Sequence, residues 1–555
     1  MSTSENNRSK AAGRGRSALL SIGLIALGAL AGYATGRFFS APKGPGDGHY
    51  KVVVASTTDL HGSFFEDGYR DGEKRSSSLA RVTSFVDRMR ASGIDPVLID
   101  VGDVIQGDLA AYYYNFIDTA STHIFAEMSR FIGYDAFVVG NHDIEPGHAV
   151  YDRYRRDLSA PLLAANAIAT DGRKAGKPYF DEYTIVRRGK IKVAVIGFTN
   201  ANIGNWLRPA LWSGMEFRQV SEVAQEVIDR VKAKEKPHLT VVAVHSGRGD
   251  GEAALENEAL FLARSLKGVD LILYGHDHRP LADMPYNPSG PIALLNAGSH
   301  ARAVAVAAVD FDIKNGVVCN VGIEADIVPM DDESPSVRFE ERFKGAYSTV
   351  DNYADRPVCT LTEDIDFEGG NEAPSAYLTL IHDVQMAVTG AEISFTAPLT
   401  TRGSLPAGPL SQTDMATLYR FENLLVTIDL TGQQIRDYLE FSYNGQITGE
   451  APSYNHDSAA GIIYRVDASA PFGSRVEILS MEDGTPFDAD KTYKVALNSY
   501  RANGGGYHLR DGAGVDPSEL EIGPDYGDVR SLIREFLAAK GEFAPRLSKN
   551  WELTR

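Results

Sequence analysis

The sequence predicts a two-domain protein of the α/β class, and three observations carry that prediction. Short β-branched runs recur from Tyr50 onward, each leading into a polar cluster. Stretches of helical periodicity separate several of them, and the texture shifts to longer polar loops beyond Cys359. With 555 residues, 43% of them hydrophobic and 23% charged, the chain is too long for one ordinary core and too apolar for disorder.

The runs are Lys51-Val52-Val53-Val54, Val97-Leu98-Ile99, Ala136-Phe137-Val138-Val139, Val193-Ala194-Val195-Ile196, Val241-Val242-Ala243-Val244, Leu271-Ile272-Leu273 and Ile292-Ala293-Leu294-Leu295. Each has the length and composition of a buried strand, and residues 78–91 and 220–234 have helical spacing between them. A first domain over residues 48–330 ends near Met330-Asp331-Asp332-Glu333-Ser334-Pro335, and the charged, helix-prone segment 331–358 reads as a linker helix. Residues 359–555 form a second α/β or α+β domain with turn clusters at Pro406-Ala407-Gly408-Pro409 and Asn503-Gly504-Gly505-Gly506.

The 55 basic against 74 acidic residues give a formal net charge of -19, which argues against a nucleic-acid polymer as partner. Small anionic substrates fit if bound metals or a few arginines supply local positive charge. Residues 1–47 read as an export segment: Arg14 and Arg16 precede an uncharged apolar stretch, residues 17–36, with small residues at Ala31, Gly32 and Ala34. A cleavable signal peptide and a membrane anchor both fit its length. The expected location is therefore periplasmic or cell-surface. Cys319 and Cys359 are too few for a disulfide scaffold or a thiolate metal site; one disulfide and two free thiols both stay open.

Five clusters at strand exits carry the chemistry: Asp59-Leu60-His61, Gly102-Asp103, Gly140-Asn141-His142-Asp143, His245 and Gly275-His276-Asp277-His278. They hold five of the thirteen histidines and offer imidazole, carboxylate and one amide oxygen, a set suited to zinc, manganese, iron or similar divalent ions. Two ions are expected. Ligand types that alternate with one residue between them point the same way if the segment is extended, and Gly275 would let the backbone turn toward the ions. A carboxylate such as Asp103 can bridge two cations held about 3.5–4 Å apart, the arrangement used for in-line displacement at phosphorus by hydroxide.

The order of these motifs resembles the calcineurin-like metallophosphoesterases, and the chain from Lys51 onward is similar to the 5′-nucleotidase family. The resemblance implies a four-layer β-sandwich flanked by helices, then a linker helix and a substrate-binding domain, hinged at the linker. It implies that Asp59, His61, Asp103 and His278 hold one ion and that Asp103, Asn141, His245 and His276 hold the other. His142 would stabilise charge on the transferred phosphoryl group, oriented by Glu145 where many relatives carry aspartate.

Two Gly/Asn-rich loops in the second half, Ser453-Tyr454-Asn455-His456-Asp457 and the segment from Asn498 to Gly506, carry aromatic residues fit to stack on a base. By resemblance Tyr454 and Tyr500 take the two faces of that base. Arg402 and Arg501 are candidate phosphate or sugar contacts, and Asn498 is a further substrate-binding candidate. The segment Ser394 to Gly403 and Gly506 depart from the pattern of 5′-nucleotidases and look closer to the 2′,3′-cyclic-nucleotide phosphodiesterase/3′-nucleotidase branch. The expected activity is thus an exported dimetal phosphohydrolase releasing phosphate from nucleotides. The alternatives are a hydrolase of nucleotide sugars or another ester on the same fold, and an inactive exported binding protein. No obligate protein partner is evident.

Overall fold

A computed structural model describes residues 45–66, 77–370, 372–421, 423–524 and 526–555; the export segment of the sequence reading lies outside them. All seven apolar runs form strands. Six strands make the first sheet, in the order Val317–Pro329, Ala303–Lys314, Gly48–Thr57, Val97–Asp100, Ala136–Val138 and Leu162–Leu163. The last four are mutually parallel, while Ala303–Lys314 runs antiparallel to both its neighbours.

The second sheet has the order Leu281–Asp283, Ala293–Asn296, Leu271–Tyr274, Leu239–Val244, Ile191–Phe198 and Tyr183–Arg188, parallel in its middle and antiparallel at both edges. Alternation along each strand gives each sheet two apolar faces. Val54, Ile99 and Val138 of the first sheet pack against Val195, Val241 and Leu273 of the second in one shared core. The outer face of the first sheet is covered by the helices Leu79–Ala91, Ile124–Ile132 and His148–Asp157, through Phe85, Phe125 and Tyr151. That of the second is covered by Val220–Glu235 and Ala259–Ser265, through Ile228 and Leu262. Four layers result, and each fully buried aliphatic side chain contributes about 1.5–3 kcal/mol.

The helix Val337–Ala354 lies inside the expected linker, but it is not a free spacer. Phe339, Phe343, Val350 and Tyr353 belong to the outer core of the first domain, with Phe343 packed edge-on against Phe131 at 5.5 Å. Beyond it, a four-stranded sheet ordered Leu425–Thr431, Thr492–Asn498, Ile393–Thr396 and Ser458–Ala460 lies at the centre of the second domain. The helices Ala376–Thr389 and Gly432–Thr448 cover it, each opened by a hydroxyl cap, Ser375 and Thr431. Cys319 and Cys359 are both free thiols. No helix among the described residues is long and apolar enough to cross a membrane.

Candidate metal centre

Every predicted ligand follows the C-terminal end of a parallel strand. Asp59 and His61 follow Gly48–Thr57, Asp103 follows Val97–Asp100, Asn141 follows Ala136–Val138, His245 follows Leu239–Val244, and His276 and His278 follow Leu271–Tyr274. Face-to-face stacking brings these five exits to one rim.

The local geometry differs from the extended one expected. Asp59, His61, His276 and His278 have φ of 50°, 45°, 78° and 56°, and Asp103 has 57°, all left-handed. The chain therefore turns tightly on leaving the sheet, at a cost of about 1–3 kcal/mol per strained residue. Cross-loop bonds hold it there: Asp59 N–H donates to the Gly102 carbonyl at 2.8 Å and His61 N–H to that of Asp103 at 2.9 Å. Gly275 acts by close approach and not by a positive φ, since a Cβ there would sit 2.1 Å from Thr58 Oγ1 and 2.7 Å from Asp59 Oδ2. At Gly140 a Cβ would sit 2.0 Å from Asp103 Oδ1.

Two groups of donors emerge. In Asp59, His61 and His278 one ligand atom from each lies within 4.8 Å of the others, and the same holds for Asp103, His245 and His276. Asn141 Oδ1 is 3.0 Å from His276 Nδ1, which adds the amide to the second group. His245 Nε2 lies 3.0 Å from Asp103 Oδ2 and 4.0 Å from Asp59 Oδ1, so the two groups share one acidic floor.

The chemistry of these atoms fits divalent cations. His61 Nδ1 faces the Gln106 carbonyl at 3.1 Å and His245 Nδ1 that of Val101 at 2.7 Å. A carbonyl accepts only from an N–H, so each ring places a proton there and turns its Nε2 inward, toward the carboxylates. His61 Nε2 then meets His278 Nε2 at 3.1 Å, and buried His245 Nε2 faces the Asp103 carboxylate at 3.0 Å. Imidazole nitrogens and carboxylate oxygens gathered this closely are favourable when a cation lies among them.

Burial opposes ionisation of Asp59 and Asp103, yet the His278 hydrogen bond and the His245 charge lower the first, and His245 and His142 hold the second well below the ordinary value. Burial takes His61 down to about 4. It also pulls on His142, but Asp103 and Glu145 prevail and raise that imidazole to about 9. His142 Nδ1 is 2.6 Å from Glu145 Oε2, and its backbone N–H donates to Asp103 Oδ1 at 2.8 Å. The extra methylene of Glu145 thus still reaches the ring.

Several supporting residues escaped the sequence reading. The buried carboxylate of Asp143, grouped there with possible ligands, accepts from the backbone N–H groups of Asp103, Val104, Ile105 and Gly140 at 2.9–3.1 Å. It fixes two ligand loops. Asp277 points away from the ions, accepting from Arg248 N–H and Asn296 Nδ2. Glu256 faces His276 Nε2 at 3.2 Å, and the Trp206 ring stacks on His276 at 5.3 Å and 20°. His300 sets its ring 5.4 Å from that of His61. Glu256, Trp206 and His300 lie outside the strand-exit clusters, so only spatial proximity reveals them.

In the second domain Tyr454 and Tyr500 are 47% and 38% exposed, and Arg402 is exposed on the loop after Ile393–Thr396. Arg501 is not available to a substrate. It is 2% exposed and all five of its N–H groups are taken: two by Asp457, the others by Asn455 Oδ1 and the carbonyls of Tyr454 and Gly505. Asn498 caps the short helix Ser499–Ala502 by accepting from Arg501 N–H at 2.9 Å. Both residues help build the tyrosine loops, and in Arg501 that role takes up every donor. The Tyr500 loop reaches the rim of the metal site: Asn503 Nδ2 donates to the Trp206 carbonyl at 2.9 Å.

Residues 52–280 match the calcineurin-like phosphoesterase family, and residues 357–509 match the 5′-nucleotidase C-terminal domain. The chain belongs to the 5′-nucleotidase family. A trifunctional nucleotide phosphoesterase of Bacillus subtilis is 24% identical over 90% of this chain, which spans 39% of that protein's length. A Haemophilus influenzae protein named 2′,3′-cyclic-nucleotide 2′-phosphodiesterase/3′-nucleotidase is 24% identical over 92% of the chain and 88% of its own length. The structure of a 5′-nucleotidase precursor from Thermus thermophilus superposes with a TM-score of 0.64, at 24% identity, covering 91% of this chain and all of that one. This member of the 5′-nucleotidase family is accordingly a phosphoester hydrolase whose fold implies divalent metal ions, with two candidate sites.

Proposed function

We propose that the protein releases phosphate from nucleotides at a two-cation centre. Asp59, His61, Asp103 and His278 hold one cation, and Asp103, Asn141, His245 and His276 the other. Divalent cations held by these residues would supply Lewis-acid chemistry and a nucleophile at neutral pH. The chain's own residues do the rest: His142, held by Glu145, donates to the oxygen on which charge develops, and Asp143 keeps the Asp103 and Asn141 loops from drifting. Zinc and manganese suit the mixed N/O donor set.

One observation supports a nucleotide over a generic ester. The exposed Tyr500 stands on the loop that meets the metal-site rim through Asn503 and Trp206, and the exposed Tyr454 stands on the loop joined to it by Arg501, which supports a flat aromatic binding surface for a base. The name of the Haemophilus relative favours the 2′,3′-cyclic and 3′-nucleotide branch. Export to the periplasm or cell surface is part of the proposal and rests on Arg14, Arg16 and the apolar residues 17–36.

The test is a panel of 5′-, 3′- and 2′,3′-cyclic nucleotides assayed with zinc and manganese, alongside a small aryl phosphate. Tyr454→Ala should raise KM for nucleotides and leave aryl phosphate turnover intact. Equal effects on both substrates would favour a nucleotide-independent ester, and absence of metal-dependent turnover would reject the hydrolase.

A further inference from the structure

Trp206 occupies a place that the hydrolysis itself does not require. It ends the short helix Ile203–Trp206, on a loop that supplies none of the donors to the two candidate sites. Its half-buried ring lies nearly parallel to the imidazole of His276, with centroids 5.3 Å apart and planes 20° from coplanar. Its carbonyl accepts from Asn503 Nδ2 at 2.9 Å, across the domain boundary, from the residue that ends the Ser499–Ala502 helix carrying Tyr500. One residue therefore touches a candidate metal ligand with its side chain and the second domain with its backbone.

The loop carrying Trp206 is itself anchored to the metal-site rim. Asn202 N–H donates to Asn200 Oδ1, and Asn200 Nδ2 donates to the Glu256 carbonyl, while the Glu256 carboxylate faces His276 Nε2. His276 is thus gripped on an edge by Glu256 and on a face by Trp206. The edge contact sets the tautomer; the face contact limits rotation of the ring about its own bonds. An imidazole free to swing would aim its Nδ1 lone pair less often at the position shared with Asn141 Oδ1 and the Asp103 group.

We propose that Trp206 is a positioning residue that couples seating of the Asn503 loop to the orientation of His276. Resting on the two-cation reading above, this makes the second domain a contributor to metal binding as well as to substrate choice. Coupling of this kind is reciprocal: whatever tightens the Asn503 contact tightens the cation held by His276, and the reverse.

The experiment is calorimetric titration of manganese(II) into the full-length, chelator-stripped chain and its variants. Wild type should bind two ions. Trp206→Leu should weaken one of the two steps by about tenfold, the usual scale for losing an outer support of a ligand, and leave the other unchanged. Trp206→Phe keeps a flat face and should recover most of the loss, which a general packing defect would not allow. Asn503→Ala should weaken the same step by a smaller factor, about threefold, and the double variant Trp206→Leu/Asn503→Ala should be no worse than Trp206→Leu alone. Two tight steps in Trp206→Leu equal to those of wild type, or independent additive losses in the double variant, would overturn the coupling. A wild type that takes up no manganese would instead overturn the metal-centre reading.

Discussion

At the residue scale, the centre depends on atoms placed where nothing larger fits. A methyl group at Gly140 would overlap the Asp103 carboxylate, so Gly140→Ala should cost about 1–3 kcal/mol in denaturant unfolding and strip bound metal measured by elemental analysis. His142 is the group free of metal-ligand duty that faces the site with a raised proton affinity. His142→Ala should lower kcat about 10²–10³-fold with metal content unchanged, and loss of metal would reassign the residue to the ligand set. The seven candidate ligands and the His142/Glu145 pair were legible in the sequence because each sits beside a strand that announces itself by composition. Their left-handed backbone was not, since it arises from hydrogen bonds between loops far apart in the chain, such as Asp59 to Gly102.

At the scale of elements, two polar clamps hold the loops that the strands deliver. Asp143 joins the Gly102-Asp103 loop to the Gly140-Asn141 loop through four backbone N–H groups. Asp143→Ala leaves those donors buried and unpaired, and should destabilise the first domain by more than the ~1–3 kcal/mol of one lost group, with the loss read as a lowered unfolding midpoint. Arg501 does the equivalent in the second domain, tying the Tyr454 loop to the Gly505 turn across the buried Asp457, which also accepts from Tyr438. Removing the guanidinium strands a buried carboxylate, so Arg501→Met should cost about 3–5 kcal/mol and raise KM for nucleotides without abolishing aryl phosphate hydrolysis. An arginine in a Gly/Asn-rich loop reads in sequence as a ligand contact; what decides otherwise is that Asp457, 44 positions earlier, folds beneath it.

At the scale of the whole molecule, contacts that join the two domains include Thr413 Oγ1 donating to the Ala354 carbonyl and the Arg530 guanidinium over the Tyr112 ring. Tyr112 and Ser531 share a hydrogen bond at 2.9 Å, and Asn503 reaches Trp206. The helix Val337–Ala354 belongs to the first domain's core, so any rotation of the second domain must pivot after Ala354. A non-hydrolysable nucleotide should change the solution scattering profile, and an identical profile would argue for a fixed arrangement. Metal that binds only the folded chain adds about 2.7 kcal/mol at a concentration of 100 Kd, so chelation should lower Tm in a calorimetric scan.

By itself the sequence determined the α/β class, the strands and the donor chemistry gathered at their exits, because apolar periodicity and donor chemistry are local properties of the chain. Only the tertiary structure decided which donors group together, which charged residues are consumed as clamps, and that Trp206 joins the second domain to His276. Those are distances between segments remote in sequence, set by how two sheets and two domains pack, and no local pattern encodes them.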